Sequence, residues 1–154
     1  MKNDVKLVDK NNIGSGNLFQ SLEQAQSVLE SFLLHELNAD SPVQLGRGDL
    51  KILANLDCRS TYASELARRL GVSRQAVNRL LHNVIALDLV QLEADSDRKN
   101  TKRIVITDAG AAFIEKALHH ISEFEVRLEA RIGAQRVEAF KSALAQDWRQ
   151  LLSD

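Results

Sequence analysis

The sequence has few of the features that mark secreted or membrane proteins. It contains one cysteine, Cys58, so it cannot form an internal disulfide, and a lone thiol fits a reducing compartment. No run of about 18 apolar residues is present, which excludes a membrane-spanning helix. Residues 1–17 are polar, lack the apolar segment of a signal peptide and are expected to form a flexible tail. These absences predict a cytoplasmic protein.

Proline and glycine are also scarce, with one proline and seven glycines in 154 residues. A flexible linker between domains would need more of both, and there is no repeat or low-complexity segment. Hydrophobic residues make up 44% of the chain and charged residues 27%, as in an ordinary globular domain. The composition therefore predicts one domain, with room for helical appendages.

Residues that usually carry catalysis or metal binding show no working arrangement. There is no glycine-rich phosphate loop, no paired-carboxylate site and no Ser/His/Asp set. The histidines have no zinc spacing with Cys58 or with each other, and two adjacent ones on a helix would point in different directions: His35, His82, His119 and His120. The sequence therefore predicts no enzyme activity, no metal and no cofactor.

Charge is distributed unevenly along the chain, although the net charge is −1. The stretch from Arg47 to Arg103 holds eleven basic residues against seven acidic ones, whereas the two flanks together are acidic. A basic middle between acidic ends is typical of a molecule that presents one positive surface to an anionic partner.

Helical spacing of apolar residues dominates the first half of the chain. The capping-box form of 21–24 predicts a first helix that ends near Asn38, with Pro42 as a stop beyond it. A shorter second helix is predicted around 50–56. A third helix is expected to open at Thr61 and a fourth to follow Ser73.

The third and fourth helices together have the pattern of a helix-turn-helix unit. Ala67 is small where the second helix would cross, and Gly71 gives the turn its backbone freedom. The inner face of the fourth helix is predicted to consist of Ala76, Val77, Leu80, Val84 and Leu87. Two short strands, 89–93 and 103–106, then enclose a charged loop and predict a hairpin.

Two helices complete the predicted order. The fifth starts at Thr107–Gly110 and is broken by Gly133. The sixth places one apolar stripe along its length: Val137, Phe140, Leu144, Trp148 and Leu151. The stripes of the first, fifth and sixth helices are long for so small a body, so burial against a second copy is favoured over a monomeric core.

The outward face of the fourth helix carries side chains suited to base edges in the major groove, where arginine matches guanine and asparagine or glutamine matches adenine: Arg74, Gln75, Asn78 and Arg79. Ser73 leaves the helix N-terminus open, so its free N–H groups can face a phosphate. Thr61 and Arg68 on the third helix are expected to contact phosphates as well.

The hairpin offers a second basic contact, to the adjacent minor groove or its phosphates, through Arg98, Lys99, Lys102 and Arg103. Asp95 and Asp97 leave open a plain solubilising turn. Taken one at a time, the residues of the fourth helix would also fit an ordinary solvated helix face.

Three segments resemble the MarR family of transcriptional regulators. Residues 45–53 resemble its second helix and 63–77 its helix-turn-helix. Residues 97–99, followed by 106–110, resemble its wing and the start of its fifth helix. The resemblance spans about 18–152. It departs at Lys99, where the family usually has a second arginine, so Arg98 and Lys99 both stay open as the minor-groove contact. Gly46 stands where a serine or threonine cap is common.

The resemblance implies a mainly α fold with a small β-hairpin wing (α+β), namely a winged helix-turn-helix with N- and C-terminal dimerisation helices. It assigns 18–42 and 108–154 to dimerisation and 43–107 to DNA binding. It also implies a homodimeric regulator, a repressor on a pseudo-palindromic double-stranded DNA operator, released by a small aromatic or phenolic ligand. His35, expected near the inward face of the first helix, is a candidate for that pocket.

Three alternatives stay open at this point. The winged helix could be a protein-interaction module, or an architectural DNA binder without sequence preference. Cys58 beside Arg59 could sense redox state, although a plain structural residue is favoured because Cys58 does not match the position of the family's sensing cysteines.

Overall fold

The computed structural model describes residues 16–39, 44–56, 61–97 and 101–152. Its helices and strands follow in the order α1 Leu18–Asn38, α2 Arg47–Ala54, β1 Thr61–Tyr62, α3 Ala63–Leu70, α4 Arg74–Ala86, β2 Val90–Ala94, β3 Lys102–Ile106, α5 Asp108–Ile132, α6 Ala134–Leu144 and a 3₁₀ turn Trp148–Leu152. The sequence predictions for Pro42, Cys58, Arg98, Lys99 and most of the N-terminal tail lie outside the described residues. No described helix has the length and apolar character needed to cross a membrane.

Capping side chains set where several helices begin. Asn17 accepts a hydrogen bond from the Gln20 backbone N–H at 2.9 Å, so α1 starts at Leu18 and the predicted start at Ser21 is wrong. Asparagine ranks among the strongest N-caps, and it precedes the serine along the chain. The predicted cap at Ser73 is confirmed, because its Oγ accepts from the Ala76 N–H at 3.1 Å.

A left-handed glycine makes the turn between α3 and α4. Gly71 has a φ of 65° and the Val72 N–H donates to the Ala67 carbonyl at 3.0 Å, which closes α3. Ala67 is buried, as a close helix crossing requires. Three predicted features of the helix-turn-helix are therefore confirmed: Gly71 in the turn, Ser73 as the N-cap of α4, and Ala67 where the two helices cross.

Within the described residues, the sheet has three antiparallel strands in the order β1-β3-β2, one more than predicted. Thr61 pairs with Ile104 in β1 and so does not open α3, which begins at Ala63. Two residues are too few for strand periodicity to appear in the sequence, and the pairing partner is distant along the chain. The β2–β3 hairpin pairs Val90 with Ile106 and Ala94 with Lys102, as expected of a wing.

One apolar core joins the helix-turn-helix to the wing and to the second half of α1. Its fully buried members are Leu37, Ile52, Leu66, Val77, Val84, Val90 and Ile104. Leu81, which the predicted inner face of α4 omitted, is also buried. This core holds α4 from one side and leaves its other side to solvent.

The C-terminal helices leave the core at a tight joint. Thr107 caps α5 by accepting from the Gly110 N–H at 2.9 Å, and α6 folds back beyond Gly133. Lys141 on α6 donates to Glu125 on α5 at 2.7 Å, and this hydrogen bond raises the pKa of Lys141 above its usual value.

The predicted apolar stripe along the sixth helix is wrong at its end. Helix α6 ends at Leu144, and Trp148 and Leu151 lie in the 3₁₀ turn.

Candidate nucleic-acid interface

The outward face of α4 presents four polar side chains to solvent. All four predicted base-reading residues are exposed, in the first two turns of the helix: Arg74, Gln75, Asn78 and Arg79. The opposite face of α4 is fixed by Val77, Leu81 and Val84 in the core. A buried back and a polar front define an element that can enter a groove without disturbing its own packing.

The first turn of α2 positions α4 from behind. Asp49 is 7% exposed, and its Oδ2 accepts from the Asn83 Nδ2 of α4 at 2.7 Å and from the Gly46 N–H at 2.8 Å. A Cβ at Gly48 would lie 2.6 Å from Leu80 Cδ2, so α2 and α4 approach closely there. Gly46 is the N-cap of α2, and the Asp49 carboxylate supplies the hydrogen bond to its N–H. Sequence reasoning did not find this buried contact.

The predicted phosphate contacts on and near α3 differ in exposure. The Arg68 side chain is 76% exposed and lies 3.9 Å from Glu65. Arg69 is held more firmly, by Glu65 at 2.6 Å and by the Asn55 carbonyl at 3.0 Å. Thr61 is fully buried in β1, and the prediction that it contacts a phosphate is wrong because no ligand can reach its side chain.

The two described basic residues of the wing lie on opposite faces of the sheet, because neighbouring residues of a strand alternate. Lys102 is exposed on the same face as Ile104, toward α4. Arg103 lies on the other face, opposite Glu93 of β2 and 3.7 Å from its carboxylate. Among the described wing residues, Lys102 is therefore better placed to act together with α4.

A groove of about 510 Å³ runs between α4 and the wing. Leu92 and Ile104 contribute an apolar floor. The polar lining includes two permanent cations, an imidazole, an amide and hydroxyl groups: Arg74, Lys102, His82, Asn78, Ser64 and Thr101. None of the described lining residues is aspartate or glutamate. His82 and Ser64 were not predicted here, although 74, 78 and 82 follow each other at helical spacing.

A second depression, also about 510 Å³, opens between α1 and the start of α2. Ser31, His35, Asn38 and Arg47 are among its lining residues. His35 is exposed, so its expected position near the inward face of the helix is wrong, but it does line this depression. Arg47 is tethered to α1 by Ser27 at 3.1 Å and Ser31 at 3.4 Å.

The adjacent histidines of α5 converge on one carboxylate. His120 Nδ1 lies 2.9 Å from Glu123 Oε2 and His119 Nε2 lies 3.8 Å from Glu123 Oε1, although the His119 side chain is 71% exposed and the His120 side chain only 14%. The His120 hydrogen bond lowers the pKa of Glu123 below its usual value. Within the described part of the chain, no three His, Cys, Asp or Glu side chains gather as metal ligands would.

A capped helix beside a small antiparallel wing, carried between long terminal helices, defines a winged helix-turn-helix protein of the transcription-regulator class. The MarR family model matches residues 51–99, and the chain is similar to the MarR family over this segment. Uncharacterized proteins of Mycobacterium tuberculosis and Mycobacterium bovis are 23% identical over 94 residues. That match spans 61% of this chain and 66% of the relatives, just under two thirds of their length.

Solved structures agree with this assignment. The repressor CouR, bound to a 23-mer DNA duplex, is 26% identical with a TM-score of 0.67, over 84% of this chain and 90% of that one. A MarR family protein of M. tuberculosis in complex with salicylic acid is 24% identical with a TM-score of 0.63, over 85% and 96%. MarR from E. coli is 20% identical with a TM-score of 0.67, over 84% and 95%. The family and the fold are those of transcriptional regulators, not of enzymes.

Proposed function

We propose that the chain is a homodimeric repressor that binds a specific sequence in double-stranded DNA through the outer face of α4. The observation that carries the proposal is the exposure of four base-matching side chains on a capped helix whose other face is in the core: Arg74, Gln75, Asn78 and Arg79. The structure of the similar repressor CouR contains a DNA duplex, which supports the same partner here.

The predicted site residues fall into three groups in this proposal. The arginines of α4 bind guanine edges, and Asn78 and Gln75 bind adenine edges. Arg68 and the N–H groups behind Ser73 bind phosphates and set the register of the helix on the duplex. Arg98, Lys99, Lys102 and Arg103 of the wing bind the flanking minor groove or its phosphates.

Dimerisation accounts for the apolar surface of the terminal helices. Residues 18–42 and 108–154 form the dimerisation region in this proposal, and 43–107 form the DNA-binding domain. Large apolar side chains stay exposed on these helices in the single chain: Leu18, Phe19, Val28, Leu118, Val126, Ile132, Phe140, Leu144, Trp148 and Leu151. Their burial against a second copy places two winged units over a pseudo-palindromic operator.

A small aromatic or phenolic ligand would release the DNA in this proposal. The depression between α1 and α2 offers Arg47 and His35 to an acidic or hydroxylated ring. The salicylic acid complex of the M. tuberculosis MarR family protein supports this ligand chemistry.

Selection of bound duplexes from a random library is the direct test of the function. We expect a palindromic motif with half-sites about one helical turn apart. On that motif, Arg74→Ala and Arg79→Ala should each lose about 1–3 kcal/mol of binding free energy, measured by fluorescence anisotropy. Arg136→Ala is the matched control, because Arg136 is an exposed arginine on α6.

Other outcomes would identify the rival functions. Unchanged affinity in both α4 variants would contradict the assignment of this helix as the base reader. Equal affinity for the motif and for random duplex would indicate an architectural binder, since a specific site typically gains about 10³-fold or more. Failure to bind any duplex would favour a protein-interaction module.

A further inference from the structure

The groove between α4 and the wing has the chemistry of an anion-binding site. Arg74 and Lys102 line it from α4 and from β3, and Ser64 and Thr101 add hydroxyl donors. No described residue of its lining is acidic, in a chain that holds 21 acidic residues. A groove of this size, lined with donors and open to solvent, is suited to an extended anionic chain such as a sugar–phosphate strand.

His82 extends the DNA-facing residues of α4 along this groove. It is exposed, it lines the groove, and it follows Arg74 and Asn78 at successive four-residue intervals on the same side of the helix. Within the described part of the chain, His82 forms no hydrogen bond or ion pair. Its ring is therefore accessible to a ligand in the groove.

We infer that His82 is a phosphate contact whose protonation tunes the affinity for duplex DNA, an inference that rests on the proposed DNA-binding function. When α4 lies in a major groove and the wing in the neighbouring minor groove, the sugar–phosphate strand between them crosses this groove. A neutral imidazole can form one hydrogen bond with a phosphate oxygen. A protonated imidazole adds a charge-assisted contact.

A bound phosphate, and not the cationic surroundings of His82, sets the sign of the pH dependence. Among the described residues that line the groove, the other charged or titratable groups are Arg74 on α4, Lys102 on β3 and Tyr62 on β1. The Tyr62 hydroxyl donates to Asp95, so this carboxylate already has a partner. A bound phosphate favours the imidazolium form, so DNA binding takes up a proton and strengthens as the pH falls.

The test compares wild type, His82→Gln and His82→Lys by fluorescence anisotropy at about pH 6 and about pH 8, on either side of the usual histidine range. His119→Gln is the matched control, since His119 is 71% exposed on α5, outside the groove. Each protein is measured on the selected operator and on random duplex at the same salt. Circular dichroism melting at both pH values establishes that every variant is folded.

We expect the affinity for DNA to rise when the pH is lowered from about 8 to about 6. This rise should be about two- to fivefold larger for wild type and His119→Gln than for His82→Gln, because an exposed ion pair contributes a free energy of that size. His82→Lys should bind tightly at both pH values. The loss in His82→Gln should be equal on operator and random duplex, because a phosphate carries no sequence information.

Two results would overturn the inference while leaving the proposed function intact. One is an unchanged pH gain in a folded His82→Gln that still binds the operator. The other is a loss confined to the operator, which would make His82 a base reader. A wild-type chain that binds no duplex at either pH would instead refute the proposed function itself.

Discussion

The winged lobe, residues 44–106, and the helical arms formed by α1, α5, α6 and the 3₁₀ turn bury their apolar side chains to very different extents. Ile52, Leu66 and Val77 of the lobe are fully buried. Along α5, all of whose residues are described, Gly110 is the single buried residue. Leu118 on the same helix is 56% exposed.

This difference indicates which part of the molecule is better packed in the single chain. The lobe contributes most of the fully buried apolar side chains of the core, and its exposed side chains are mainly polar. The arms have amphipathic helices whose apolar faces stay exposed to solvent in the single chain. In a monomer, each exposed apolar side chain would cost free energy because it stays in contact with water. The lobe is thus packed mainly within the single chain, and in the proposed dimer the arms acquire their packing from a second copy.

Gly110, at the joint between lobe and arms, is expected to give the largest effect. A Cβ at this position would lie 1.9 Å from the Leu89 carbonyl oxygen and 2.8 Å from its carbon. These are backbone atoms, so α5 would have to move away from the lobe. Gly110→Ala should therefore destabilise the protein by about 3 kcal/mol, at the upper end of overpacking effects, measured by urea denaturation.

Gly46→Ala is the matched control for this substitution. A Cβ at Gly46 would lie 3.7 Å from its nearest neighbour, Asp49 Oδ2, which is ordinary van der Waals contact. Its cost should stay below about 1 kcal/mol, the usual loss for an unfavourable N-cap. Equal costs for the two glycines would mean that the lobe and α5 are not tightly joined.

The exposed arm residues should respond to charge in a way that depends on their side of α5. Leu118→Glu places a carboxylate on the apolar face and should raise the dimer dissociation constant about tenfold or more, measured by analytical ultracentrifugation. Lys116→Glu, on roughly the opposite side of the helix, should leave it within a factor of about three. A dimer unaffected by Leu118→Glu would show that this face is not the interface.

Features set by neighbours in sequence could be predicted, whereas features set by distant pairing could not. Gly71, Ser73 and Thr107 act on residues within one turn, so the helix-turn-helix and the start of α5 were predicted from local pattern. Strand β1 exists because Thr61 meets Ile104 far along the chain, and no local pattern marks it.

The same distinction between local and distant determinants applies to the residues of the candidate site. The outward position of Arg74 and Asn78 follows from helical periodicity alone. The groove beside them depends on where the hairpin packs, which the sequence does not specify, so His82 was overlooked as a site residue. Thr61 was misassigned for the same reason, since its burial depends on the sheet.

Within the lobe, the buried contact between Asp49 and Asn83 should give a smaller but well-defined effect. Asn83→Ala would leave Asp49 Oδ2, in a side chain only 7% exposed, with the Gly46 N–H as its remaining described partner. A buried acceptor that loses a donor costs about 2 kcal/mol, so urea denaturation should show a loss of that size.

Asn55→Ala is the matched control for Asn83→Ala. The Asn55 side chain donates to the Lys51 carbonyl at 2.9 Å in an exposed position, so its removal should lower the free energy of unfolding by only about 0.5 kcal/mol.

The double variant Asp49→Ala with Asn83→Ala should lose less stability than the two single variants together, because each single change already breaks the shared hydrogen bond. Strictly additive losses would mean that the contact contributes nothing to holding α4 on α2, and that α4 is positioned by its apolar face alone.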